Sequence, residues 1–163
     1  MSNNFKPTSE ISSEQPAQNS LNDFQKGWIG NLLSVLDNCL ESEIKANILR
    51  ACAAFHYRDA RMDEIVSQYC GSLEGVIQFL SEQWHWQVTY DPANRTIWAD
   101  ENKPYCVCPL VQQGLADVSG TLCHCSEGFA ERMFSGVIGR PVEAKVSQSV
   151  LRGDPSCVYW IQM

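Results

Sequence analysis

The chain has 163 residues, 44% of them hydrophobic and 19% charged, with a formal net charge of −7 and a pI near 4.9. That length holds one domain with a sizeable core and no need for covalent staples. The acidic balance and scattered basic residues exclude a surface that grips phosphates, so neither nucleic acid nor an anionic membrane is an expected partner. No apolar run reaches the roughly 18 residues of a membrane span.

Residues 1–19 (MSNNFKPTSEISSEQPAQN) are polar and rich in Ser, Asn, Gln and Pro, and read as a disordered tail. A single domain is expected over 20–163, with a helical half over 20–84 and a sheet and cysteine-rich half over 85–163. From Leu21 the pattern is helical: Phe24, Trp28, Leu32, Leu36 and Leu40 step by four, with Ile29 and Leu33 widening the stripe. Ser42 is read as the cap of a second helix carrying Ile44, Ile48, Leu49, Cys52 and Phe55. Asp59 opens a third with Met62, Ile65, Val66 and Tyr69, ended by Gly71. Ser72 caps a fourth with Leu73, Val76, Ile77 and Leu80.

The period then changes to two. Trp86, Val88 and Tyr90 alternate with polar neighbours, Pro92–Arg95 is turn chemistry, and Thr96–Ala99 returns. After a cysteine-rich stretch, Ser126 is read as the cap of a helix with Phe129, Met133 and Val137 on one face, stopped by Gly139 and Pro141. Val142, Ala144, Val146 and Val150 alternate, residues 152–155 turn, and Cys157, Tyr159, Ile161 and Met163 close a second hairpin. The expected fold is α+β: a helical layer packed on an antiparallel sheet built from two hairpins.

Half of the eight cysteines fall within twenty residues, as Cys106, Cys108, Cys123 and Cys125. Residues 1–20 lack a secretory pattern, so the expected compartment is the reducing cytosol, where thiols stay reduced or bind metal. In extended backbone, Cys-x-Cys places both sulfurs on one side. Two such pairs, or three thiols and His124, satisfy a tetrahedral soft-ligand site such as zinc. A second reading makes Cys125 a nucleophile, held as thiolate at a helix start, with His85 or His56 as base, since the adjacent His124 points away from it in extended backbone. In the third, the thiols are buried filler. Cys52 and His56 share a helix face at i, i+4 and read as core and helix end. Cys39 and Cys70 read as helix-terminal core. Arg132, Arg140 and Arg152 are solvated by default, and each has the charge to orient an acidic ligand.

The segment Cys125-Ser126-Glu127-Gly128-Phe129, then Gly139-Arg140-Pro141-Val142, a strand, Gly153 and Cys157, resembles the 4-vinyl-reductase-like ligand-binding domains. These share a helix-plus-antiparallel-sheet fold with transport-particle and nitric-oxide-signalling domains. Cys-x-Cys-Pro-Leu together with Cys-x-Cys is similar to a cysteine-rich bacterial family. Members of the first group that sense aromatic compounds bind zinc. That pattern falls on Cys123 or Cys125, Val146, Ser149 and Cys157, so Cys106 and Cys108 would have to supply missing thiolates. The resemblance implies a small-molecule-binding or sensor-type domain with an apolar or aromatic ligand lined by Trp86, Trp98, Phe129 and Tyr159. Two alternatives stand beside it: a small thiol-dependent hydrolase or redox enzyme, and an interaction scaffold forming a homodimer through a sheet edge or helical face.

Overall fold

In the computed structural model, which describes residues 22–115 and 118–163, the helical half begins at Asn22. The tail expected over 1–19 lies outside the described residues. The Asn22 side chain accepts the Gln25 amide while the Gln25 side chain accepts the Asn22 amide, both at 2.9 Å, which closes the first turn of α1 (Asp23–Cys39). This helix carries a wide apolar face, and the domain buries the side of it given by Ile29 and Leu33, expected only to widen the stripe, together with Leu36 from the stripe itself. Leu33 is buried with Ile29 and Leu36 beside it, whereas Phe24, Trp28 and Leu32 face outward.

The next helix, α2 (Ser42–Asp59), has Glu41 rather than Ser42 before its first turn, and it runs through Asp59 instead of ending ahead of it. Arg61, in the left-handed region at φ 52°, redirects the chain into α3 (Met62–Gln68). Gly71 at φ 78° ends that segment, and Ser72 accepts the Gly75 amide to open α4 (Leu73–Gln83). Cys39, Cys52 and Cys70, expected in the core, are exposed.

The strands are β1 (Gln87–Asp91), β2 (Thr96–Asp100), β3 (Glu143–Gln148) and β4 (Val158–Gln162). They form one antiparallel sheet in the order β1-β2-β4-β3, so the two hairpins join through β2 and β4, with Ile97 opposite Ile161 and Ala99 opposite Tyr159. The period of two puts Ile97, Ala99, Ala144, Val146, Tyr159 and Ile161 on one face. Against that face lies the long helix whose Ala130, Met133, Phe134 and Val137 complete the core.

Before that helix, Pro109 occupies the first position of a short α5 (Pro109–Gln112), which sequence periodicity did not reveal. The long helix, α6 (Cys123–Ile138), starts three residues before the expected cap Ser126. Ser119 instead caps a 3-10 turn at Gly120–Leu122 that leads straight into it. Val150 is likewise in a 3-10 turn, Val150–Arg152, rather than in strand. The edge strand β3 is covered from α6: Glu127 and Glu131 accept the Val146 and Ala144 amides at 3.1 and 3.4 Å. Among the described residues no helix is long and apolar enough to cross a membrane.

Candidate functional site

A cavity of about 600 Å³ opens beside the inner sheet face, within the range of small-molecule sites. Its apolar walls come from Met62 and Ile65 of α3, Trp84 and Trp86 ahead of β1, Leu122, Phe129 of α6, Val146 and Leu151. Trp86 stacks on Tyr159 at 5.6 Å and 7°, and Trp84 leans on Trp86 at 5.4 Å, so the β1 and β4 sides are paved with aromatic rings. Phe129 is held between His56 at 4.6 Å and Tyr57 at 5.7 Å. Trp98 stands elsewhere: being one residue from both Ile97 and Ala99, it points to the outer sheet face, opposite Trp160.

Cys106, Cys108, Cys123 and Cys157 all line this cavity. Both halves of the first pair therefore reach it, but only Cys123 of the second. The expectation that both sulfurs of 123–125 share a side assumes extended backbone. Helical residues two apart are rotated by roughly 200°, and Cys125 accordingly packs with the cluster of Leu33, Leu49 and Leu122, which adjoins the cavity through Cys108 and Leu151, without itself lining the cavity. Burial pushes its thiol up to about 12, which leaves it protonated and poorly suited to nucleophilic attack near neutrality. His124 turns away as well, hydrogen-bonding Glu127 at 2.7 Å.

Within the cavity the thiols differ. Cys106 is lowered by a hydrogen bond from Cys157, and Cys157 is raised by the same contact and by burial. Burial raises Cys108 and Cys123, and the Cys123 sulfur lies 3.0 Å from the Ser149 hydroxyl. The four positions to which the resemblance assigns zinc thus include a direct Cys123–Ser149 contact. Val146 has no ligating atom, and Ser149 supplies a neutral hydroxyl in place of a thiolate, so this donor set does not fit a tetrahedral zinc site. Among the described residues no group of three or more His, Cys, Asp or Glu side chains is arranged to hold a metal ion, Cys106 and Cys108 included.

Glu101 and Lys103 also line the cavity, and the sequence reading passed over both. The alternation that buries Ile97 and Ala99 places Glu101 on the same face, so its position follows from parity alone. It is 2% exposed, accepts the Tyr159 hydroxyl at 2.7 Å through one oxygen, and has no partner for the other among the described residues. Burial raises its pKa. Because the folded carboxyl holds its proton more tightly than the unfolded one, the native state loses stability as pH rises from the ordinary carboxylate range, about 4.3, through the raised value. Glu101→Gln has no proton to release there. Urea melts are expected to show the variant gaining on the wild type between about pH 4 and pH 7, and a difference constant across that range would contradict the assignment.

None of the three arginines with a charge to offer lines the cavity. Arg132 and Arg140 are exposed, and Arg152 donates to the Val146 carbonyl at 3.1 Å.

No protein-family model matches the sequence, and no curated protein does. The chain is similar in fold to a trafficking protein particle complex subunit 3 from Naegleria fowleri, a structure with palmitic acid covalently bound. The identity is 12% and the TM-score 0.49, over 85% of this chain and 90% of that one.

Proposed function

We propose that this domain binds a small apolar molecule in the thiol-edged cavity between the sheet and α6. The observation that carries the reading is the cavity itself: about 600 Å³, walled by Trp84, Trp86, Phe129, Met62 and Ile65, with apolar side chains in the majority and His56, Gln83, His85, Glu101, Lys103 and Ser126 as a polar minority. Apolar walls of this extent stabilise a ligand by removing its surface from water, and the polar minority orients it. The wall thiols serve as soft, polarisable lining.

The thiols also supply the test. Alkylation mapped site by site by mass spectrometry, with and without a panel of alkanols and alkylbenzenes, reads occupancy directly. A ligand in the cavity protects Cys106, Cys108, Cys123 and Cys157, and leaves the exposed Cys39, Cys52 and Cys70 at their unliganded rates. The same compounds raise the melting temperature by mass action, because they bind only the folded chain. Uniform protection, or none across the whole panel, would overturn the proposal.

A further inference from the structure

Two helix faces carry large apolar side chains that the described chain leaves partly or mostly open to solvent. On α1 these are Phe24, Trp28, Leu32 and Val35, at 79%, 59%, 41% and 46% exposure. On α2 they are Ile44, Ile48 and Phe55, at 48%, 40% and 68%. Within each helix the spacing of four and eleven residues keeps the set on one stripe, within roughly 80° of arc. Both stripes are turned by roughly 120–145° from the side chains that enter one shared cluster, Leu33 from α1 and Leu49 from α2, and so face away from that cluster. A helix of 17 residues with a single buried side chain draws little stability from its own domain.

We infer that this α1–α2 face is the contact surface between two copies of the chain. The exposed fractions of the seven side chains amount to on the order of 700 Å² of apolar surface. That is close to the roughly 800 Å² that a standard interface takes from each partner. A two-fold pairing sets the patch against itself, so one surface supplies both sides. Gly27 flanks the α1 stripe, and a side chain built there would meet nothing within 4 Å, which leaves room for a second helix backbone to approach closely. The composition disfavours other occupants. Residues 1–21 carry few large apolar side chains with which to cover seven. A net charge of −7 opposes docking on an anionic bilayer.

Light scattering on the full chain, with Trp28→Glu and Phe55→Glu as variants, tests this. Both residues are exposed in the single chain, so neither substitution disturbs its core. Wild type is expected at the mass of two copies. Each variant weakens association by about a hundredfold and runs as a monomer with unchanged circular dichroism. Trp98→Glu on the outer sheet face leaves the pair intact. A monomeric wild type, a dimer surviving both helix substitutions, or one dispersed by Trp98→Glu would overturn the inference. So would a monomer whose exposed face becomes dye-accessible only after residues 1–21 are removed, or one that binds neutral vesicles through Trp28.

Discussion

Gly128→Ala is expected to destabilise the domain by about 3 kcal/mol, lowering its melting temperature by roughly 6–12 °C. A methyl group at this position would lie 2.5 Å from the Arg50 carbonyl oxygen, 2.8 Å from the Arg50 Cα and 3.0 Å from the Ala53 Cβ. Two of those three atoms are backbone, so no rotamer change relieves the clash, and α2 and α6 would have to separate along their crossing. Ala53 is fully buried, and the Phe129 ring of the cavity wall follows directly after Gly128. The helix-propensity gain of about 1 kcal/mol for replacing glycine works in the opposite direction and is outweighed. Gly136→Ala is the natural control. Its new methyl would meet the Val66 Cγ1 at 2.7 Å, which is the end of a side chain, and the nearest other atom lies at 3.8 Å. A loss at Gly128 no larger than that at Gly136, measured by urea denaturation, would show that the helix crossing is not set by this contact.

Much of this architecture was legible in the sequence because it depends on local period. Both hairpins follow from alternation: Val88 and Tyr90 against Ile97 and Ala99, and Ala144 and Val146 against Tyr159 and Ile161. What the period cannot decide is which side of a wide apolar face turns inward. On α1, Phe24-Trp28-Leu32 and Ile29-Leu33-Leu36 are both apolar, and the choice is made by where α2 and the turn at 120–122 lie, which no window of sequence contains.

The thiols show a sharper dependence on one boundary. Reading the helix from Ser126 leaves Cys123 and Cys125 in extended chain with sulfurs side by side, whereas starting it at Cys123 sends Cys125 to the opposite face. A shift of three residues in one helix start therefore removes a predicted nucleophile from the site. The rest of the cavity was not legible: Met62, Ile65, Glu101 and Lys103 join Trp86, Phe129 and Tyr159, the aromatics expected to line a ligand, only through tertiary packing. Glu101 is the exception, since carrying the strand parity two residues past Ala99 would have found it.

Glu127→Ala is expected to cost about 4 kcal/mol, the largest loss among the charged positions. Glu127 is 4% exposed and ties three elements together. One carboxylate oxygen accepts from Arg50 of α2 at 3.1 and 2.8 Å and is hydrogen-bonded by His124 at 2.7 Å, while the other accepts the Val146 amide of β3 at 3.1 Å. Arg50 and His124 keep about a quarter of their side-chain surface in water, so each is partly rehydrated once the partner is gone. The Val146 amide is not, because Val146 is buried, and an orphaned buried donor bears its full desolvation cost. The paired arrangement has a geometric basis. Residues four apart on a helix advance roughly 6 Å and residues two apart on a strand roughly 6.8 Å, so Glu127 and Glu131 match Val146 and Ala144 along the sheet edge. Glu127→Gln keeps an acceptor for Val146 and most of the volume, and is expected to lose only about 1–2 kcal/mol. Glu131→Ala should lose about 1 kcal/mol, since its bond to Ala144 is 3.4 Å long and Glu131 is only partly buried. Equal losses for Glu127→Ala and Glu131→Ala in denaturant titrations would mean that the carboxylate hub does not hold β3 to α6, and that the edge strand is fastened by apolar packing alone.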